Sequence, residues 1–215
     1  MEQCIEQYPV ELYPIAEVKP KKFPKFDYHK KYSIKSLILL FFSFAFIGWC
    51  WEVGLFYFTE GTFINRGFLL GPWLPIYGSG GVLMILLLRK WIDKPVLTFF
   101  LIMILCATVE YFTSYFMESF YNIKWWDYSG YLLNLNGRIC LEGTVFFGVG
   151  GCAIIYIVAP LFDDLYHKIN PKMEIALCLI LVTLFVADFC HSISKPNTGD
   201  GITSAVPCIT EKIRS

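Results

Sequence analysis

Five long apolar runs constrain this chain more than any other feature of its sequence. They cover about Ile34–Phe58, Phe68–Leu88, Pro95–Met117, Ile139–Ala159 and Met173–Cys190. A helix needs about 20 mostly apolar residues to cross the hydrocarbon core of a bilayer. Only 17% of the residues are charged and 56% are hydrophobic, whereas about 25% are charged in soluble domains. The sequence therefore predicts an all-α integral membrane protein with about five transmembrane helices.

The same runs divide the chain into three parts. Residues 1–31 form a soluble tail, residues 32–192 hold the transmembrane bundle, and residues 193–215 form a polar C-terminal tail. Loops rich in Lys and Arg stay in the cytoplasm, and the first tail and the link Arg89–Lys94 are the most basic segments. We therefore expect a multi-pass protein of the cytoplasmic membrane with its N-terminus inside the cell.

The second run contains a stretch that an ordinary helix does not tolerate. Between Asn65 and Gly81 the sequence reads N-R-G-F-L-L-G-P-W-L-P-I-Y-G-S-G-G, with prolines at Pro72 and Pro75. Proline removes a helical hydrogen bond and clashes with the preceding turn. In hydrocarbon, irregular backbone survives only where protein or a wet cavity satisfies its polar groups. The sequence predicts a broken second helix, with the break between Gly71 and Gly78, that forms the wall of a site.

Spans 1 and 2 share an ordered set of features with spans 3 and 4. This predicts a tandem two-helix repeat over residues 34–88 and 95–159, followed by one further helix at 173–190. Each half has a glutamate, a second glutamate eight residues later, an Asn/Arg/Gly cluster, a glycine five residues after the arginine, and Gly-x-Gly-Gly. The members are Glu52, Glu60, 65–67, Gly71 and 78–81 in the first half, and Glu110, Glu118, 136–138, Gly143 and 148–151 in the second. Such copies are related by an axis along the membrane normal. Chance resemblance between Gly-rich helices is the alternative.

Several function classes find no support in the sequence. It contains no Gly-x-x-x-x-Gly-Lys-Ser/Thr phosphate loop and no Rossmann glycine fingerprint, so no nucleotide cofactor is predicted and ATP dependence would require a separate subunit. The net charge of zero gives no reason to expect nucleic acid as a partner. No helix carries His-x-x-x-His or Glu-x-x-His spacing, so neither a metal site nor another cofactor is predicted.

Acidic residues lie in four of the five runs, toward the end that the basic loops place outside. They are Glu52, Glu110, Glu142 and Asp188. A charge at the bilayer centre costs about 2.5–3.5 kcal/mol on insertion scales, and such residues usually face the bundle interior and pair. Arg66 and Arg138 are the available cations, so the surplus acid is expected to be protonated, hydrogen-bonded or reserved for a ligand.

We predict a substrate-binding site in which the central acids and arginines face one polar cavity, open to the outside and roofed by the aromatic link Glu118–Arg138. Its residues are Glu52, Arg66, Glu110 and Arg138, with Asn65, Asn136, Glu142 and Asp127 beside them. A purely structural network is the alternative. In that case Arg138 and Glu142, four residues apart, pair along one helix face, and Glu60 and Glu118 are solvated helix ends. No catalytic residue is assigned.

Four segments together resemble a known family. They are Phe46-Ile47-Gly48-Trp49 with Glu52, the Asn65–Gly81 stretch, Trp125-Trp126-Asp127-Tyr128, and Asn134-Leu135-Asn136-Gly137-Arg138. Over about Ile34–Pro160 the chain resembles the small bacterial membrane proteins grouped as putative type IV ABC-transporter permeases. The resemblance implies a permease of the cytoplasmic membrane, surrounded by membrane lipids and served by a separate ATPase subunit.

Three functions stay open from the residues. The first is a permease or substrate-binding membrane subunit. The second is an intramembrane enzyme that acts on a lipid or lipid-linked substrate from the outer leaflet, and the third is a structural or assembly subunit. Neither an enzymatic activity nor an oligomeric state follows from the sequence.

Overall fold

A computed structural model describes residues 27–205 of the chain. Its helices are α1 (Ile34–Glu60), α2 (Pro75–Leu87), α3 (Pro95–Tyr121), α4 (Leu141–Ala153), α5 (Ala159–Tyr166) and α6 (Pro171–Ser194). A 3-10 turn, Arg89–Trp91, lies between α2 and α3. Two short strands, β1 (Ile123–Lys124) and β2 (Ser204–Ala205), pair in antiparallel fashion. The predicted all-α class is confirmed.

Four helical units are long and apolar enough to cross a membrane: α1, α3, the continuous unit Leu141–Tyr166 and α6. The second predicted span is shorter than expected, because α2 has only 13 residues. Such a helix rises about 20 Å, against a hydrocarbon core of about 30 Å. Of the broken helix predicted within the run Phe68–Leu88, only the part from Pro75 to Leu87 is helical.

The predicted break in this run is present and lies directly before α2. Residues 61–74 have no regular helix, and α2 begins at Pro75. Proline suits the first position of a helix, since the missing N–H has no intrahelical acceptor there. The irregular segment is longer than expected, because it extends back to Gly61, where α1 ends in a left-handed cap.

The fourth span continues past its predicted end at Ala159. One π-helical turn, Ile154–Val158, joins α4 to α5, and the helix runs on to Tyr166. Pro160 lacks an N–H and would clash with the carbonyl one turn earlier. The wider turn, in which the N–H of Ala159 donates to the carbonyl of Ile154, relieves this crowding. The link predicted at Leu161–Lys172 is thereby reduced to residues 167–170.

The two short helices α2 and α4 each pack on the preceding long helix through a pair of glycines. The contacts are Gly78 on Phe41, Gly81 on Phe44, Gly148 on Phe99 and Gly151 on Ile102. Phe41 and Phe99 are separated by the same number of residues as Phe44 and Ile102, and as Glu52 and Glu110. Gly78 and Gly148 are likewise separated by the same number of residues as Gly81 and Gly151. These matching contacts are what the predicted tandem repeat requires, and the repeat itself stays a prediction.

Three segments meet at one end of the bundle and form a structure that we call the cap: residues 61–74, 122–140 and 195–205. Asn197 joins the first and third of them, since its backbone N–H donates to the carbonyl of Phe68 at 3.0 Å and its side chain donates to the carbonyls of Asn65 and Gly67. The pairing of β1 with β2 joins the second and third. The cap covers the end of the bundle at which α1, α3 and α6 finish.

Candidate functional site

The first acid of the site, Glu52, lies on α1 and contacts the start of α2. The hydroxyl of Tyr77 donates to Glu52 Oε1 at 2.6 Å. This contact depends on Gly48, one turn earlier, because a Cβ on Gly48 would lie 2.3 Å from the Tyr77 ring. The Phe-Ile-Gly-Trp motif therefore leaves the space through which Tyr77 reaches the carboxylate.

The second acid, Glu110, is enclosed on α3 with 6% of its surface exposed. The hydroxyl of Tyr128, from the cap, donates to Glu110 Oε1 at 3.0 Å. The other oxygen, Oε2, is buried and has no hydrogen-bond partner within residues 27–205. Burial raises the pKa of Tyr128 above its usual range, and the nearby carboxylates of Glu110 and Glu52 raise it further. Glu110 is therefore hydrogen-bonded through one of its two oxygens, by a tyrosine of the cap.

Arg66 stands between Glu52 and the cap. Its Nε lies 4.0 Å from Glu52 Oε2. Its guanidinium donates to the backbone carbonyls of Gly201 and Ile202 and lies over the ring of Phe56, with the centroid 5.3 Å away. The positive charge is thus shared between the carboxylate and two carbonyls of the cap.

Arg138 has a different environment from the one predicted. Its pairing with Glu142 along a helix is wrong, because α4 begins only at Leu141. Instead its guanidinium lies 2.7 Å from Glu118 Oε2, and the two side chains are 13% and 20% exposed. The guanidinium also lies over the rings of Tyr111 and Tyr115, at 5.4 and 5.5 Å. Glu118 is therefore more than a solvated helix end, and the charge of Arg138 is neutralised away from Glu110.

Asn65 holds the beginning of the broken segment in place. Its Oδ1 accepts from the indole N–H of Trp49 at 2.6 Å, and its Nδ2 donates to the carbonyl of Leu70 at 2.6 Å. Both groups of the amide are therefore used inside the protein.

Asp188 holds the end of the same segment. It accepts from the backbone N–H groups of Leu70 and Gly71, at 3.1 and 2.8 Å, and from the indole N–H of Trp73 at 2.8 Å. The hydroxyl of Ser192 donates to it as well. An acid on α6 thus satisfies backbone groups that the broken helix leaves free.

The remaining predicted site residues shape the link 122–140. Asn136 donates to the Tyr111 hydroxyl at 3.0 Å, and Glu142 accepts from a backbone N–H of the link at 3.2 Å. Asp127 accepts from the backbone and hydroxyl of Ser129. Partial burial works against ionisation of Asp127, but these hydrogen bonds outweigh it, so its pKa lies below the usual range. Glu142 and Asp127 therefore bind groups of the link, and Asn136 joins the link to α3.

Sequence reasoning missed the two tyrosines that bind the acids. Tyr77 follows Pro75 in the broken stretch, and Tyr128 ends the Trp-Trp-Asp-Tyr segment. Their positions could have indicated this role, because one tyrosine follows the span that carries Glu52 and the other follows the span that carries Glu110. Within the described part of the chain, no group of three His, Cys, Asp or Glu residues is placed to hold a metal ion.

These features define a helical multi-pass membrane protein with its intramembrane charges gathered under a cap at one end. A family model described as putative ABC-transporter type IV matches residues 39–193. The chain belongs to this family, and the resemblance drawn from the sequence is confirmed. Comparisons with curated proteins and with solved structures gave no match. Family and fold together make this a transport-related membrane protein.

Proposed function

We propose that the chain is a substrate-binding membrane subunit of a transport system, and that the substrate binds between Glu52 and Glu110 beneath the cap. The observation that carries this proposal is Glu110, a buried acid on a membrane-spanning helix with one oxygen that has no hydrogen-bond partner among the described residues. Ionisable groups inside membrane bundles usually mark substrate or ion pathways. Glu110 therefore has one carboxylate oxygen that can bind a ligand in addition to the oxygen that accepts from Tyr128.

The broken segment supports the same site. In many transporters a discontinuous helix lines the substrate site, because its free backbone groups and charges can reach the ligand. Here residues 61–74 carry Arg66 to Glu52 and are held at both ends by Asn65 and Asp188. We assign Arg66 to the edge of the site.

The other predicted site residues have supporting roles in this proposal. Arg138 fixes the link 122–140 on α3 through Glu118, and the link in turn positions Tyr128 on Glu110. Asn136 joins the same link to α3 through Tyr111, and Glu142 and Asp127 accept from backbone N–H groups of the link. We list them as positioning residues, since their polar atoms contact protein groups.

The orientation is part of the proposal. With the N-terminus in the cytoplasm, the cap faces the outside of the membrane, and the opposite end faces a separate ATPase subunit. That cytoplasmic end presents the turn Arg89–Trp91 and an ion-pair cluster in which Lys30 contacts Asp163 and Asp164. Both the family and the lack of a phosphate loop in this sequence support an ATPase on another chain.

The test compares folding with function in the same variants. Glu52→Gln and Glu110→Gln keep side-chain size and an acceptor for each tyrosine, so the protein should remain folded in detergent. Uptake, or growth of a deletion strain complemented with the gene, should fall at least tenfold. Glu60→Gln, at the exposed end of α1, is the matched control and should behave as the parent protein.

Two outcomes contradict the proposal. Variants that fail to fold would indicate a structural network and favour an assembly role. Stable variants with an unchanged phenotype would leave Glu52 and Glu110 without the role proposed for them.

A further inference from the structure

Resting on the proposed function, we infer that the ligand of the Glu52–Glu110 site carries a primary ammonium group. The inference combines three observations: the charge left over at the site, the hydrogen-bonding groups that line it, and the aromatic rings beside it.

With Glu110 ionised, the charge at the site is unbalanced toward negative. Arg138 is neutralised by Glu118 at 2.7 Å, and Arg66 lies 4.0 Å from Glu52 while it donates to two carbonyls of the cap. Among residues 27–205, no Lys, Arg or His nitrogen lies within 4.0 Å of Glu110. A buried carboxylate without a counter-charge is costly. A cationic ligand would supply the missing charge, whereas an anionic one would add to the imbalance.

The lining offers mainly acceptors. Glu110 Oε2 is buried and unpartnered, and Glu52 accepts its short hydrogen bond on Oε1. Tyr77 and Tyr128 use their single O–H donors on the two carboxylates, which leaves their oxygen lone pairs free to accept. An ammonium group has three donors and no acceptor, so it matches this set.

Aromatic rings lie beside the same acids. The rings of Tyr77 and Phe147 are edge to face, with centroids 6.0 Å apart, and Tyr128 packs on Tyr131 at 5.6 Å. Ring faces attract organic cations. A divalent metal ion is a poorer match, because the described residues place no group of three His, Cys, Asp or Glu together.

A primary ammonium can come from a dissolved amine or from the headgroup of an aminophospholipid. The chemistry at Glu110 is the same for both, since each presents an R–NH₃⁺ group. The experiment therefore includes one arm for each source.

The first arm uses the purified full chain in a neutral detergent. Its thermal unfolding is followed by tryptophan fluorescence while ethylamine or ethanolamine hydrochloride is added, with NaCl, KCl and tetramethylammonium chloride at equal ionic strength as references. At tenfold excess over Kd, a ligand that binds only the folded state should raise Tm by about 4 °C. The second arm compares nanodiscs of phosphatidylethanolamine with nanodiscs of phosphatidylcholine, both with the same fraction of anionic lipid.

A saturable rise in Tm with the primary amines, lost in Glu110→Gln and kept in Glu60→Gln, supports a dissolved amine. A rise in phosphatidylethanolamine alone, with the same dependence on Glu110, supports a lipid headgroup. Equal effects of NaCl or KCl, or a rise that survives Glu110→Gln, overturn the inference. So does the lack of any effect in both arms.

These outcomes are separable from those of the proposed function. If Glu110→Gln abolishes the growth or uptake phenotype but amines do not change Tm, the substrate site stands and the ammonium assignment falls. If amines bind through Glu110 while the phenotype is unaffected, the binding site stands and the transport role falls.

Discussion

Alanine substitutions at the Gly-x-Gly-Gly sequence of α2 test the packing on which the site is built. A Cβ on Gly78 would lie 2.7 Å from the backbone carbonyl oxygen of Phe41, and ordinary contact begins at 3.4 Å. The helices must therefore separate by about 0.7 Å, since a backbone atom cannot rotate away. Overpacking of this kind costs about 1–3 kcal/mol. Gly78→Ala should accordingly lower the free energy of unfolding.

Gly80 provides a matched control on the same helix. It is buried, yet a Cβ there would meet no atom of the described chain within 4 Å. Alanine is better than glycine inside a helix by about 0.5–1 kcal/mol. Gly80→Ala should therefore leave Tm unchanged or raise it. Both glycines lie in α2 and gain the same helix propensity, so the two variants should differ by the overpacking cost of about 1–3 kcal/mol. That difference corresponds to at least about 2 °C in Tm for a chain of this size.

The second helix pair repeats the experiment. Gly148 and Gly150 occupy the equivalent places in α4, and a Cβ on Gly148 would lie 2.6 Å from the ring of Phe99, while one on Gly150 would meet no described atom within 4 Å. Because a ring can move more easily than backbone, Gly148→Ala should cost less than Gly78→Ala. Tryptophan fluorescence during heating in detergent measures all four variants. Equal Tm values for Gly78→Ala and Gly80→Ala would refute the packing argument.

Three further predictions concern the cap and the topology. Asp188→Asn should lower Tm clearly more than the control Asp93→Asn. Asparagine leaves only one oxygen to accept from the N–H groups of the broken segment, whereas Asp93 is 70% exposed in a surface pair. Equal shifts in Tm would mean that Asp188 does not hold the segment. Arg138→Gln should cost about 3–5 kcal/mol by leaving its partly buried glutamate partner unpaired, and a parent-like Tm would contradict this pairing. Cysteines at Lys90 and Lys124 should react with an impermeant maleimide from opposite sides of the membrane, and reaction of both from one side would exclude the proposed topology.

The sequence was sufficient to predict the class of fold and the place of the break. Apolar runs of about 20 residues leave few alternatives to membrane helices, and Pro72 with Pro75 excludes a regular helix through that stretch. The length of α2 could not be read from hydropathy, because residues 68–74 are as apolar as a helix and yet form irregular backbone. The backbone N–H groups of Leu70 and Gly71 donate to Asp188, which lies on the last helix of the bundle.

The partners of the charged residues were harder to predict. The alternative pairing of Arg138 with Glu142 required one helix through both residues, but the path of the link brings Arg138 to Glu118 instead. The sequence predicts that the aromatic link roofs the site, but it assigns no partner to Tyr128 within that link. Its contact with Glu110 depends on how the link folds back on α3, and no periodicity in the sequence encodes that path.

The two halves of the proposed repeat differ in the partners of their arginines, and this difference is the basis of the proposed site. In the first half Arg66 stays near the acid of its own helix pair, at 4.0 Å from Glu52. In the second half Arg138 forms an ion pair with Glu118 instead, and the hydrogen-bond partner of Glu110 is the hydroxyl of Tyr128. A symmetric arrangement would place one arginine beside each acid and leave no net charge for a ligand. Among residues 27–205, Glu110 is thus the acid beneath the cap that has a tyrosine but no cationic side chain beside it, and this is the position at which we propose that a cationic ligand binds.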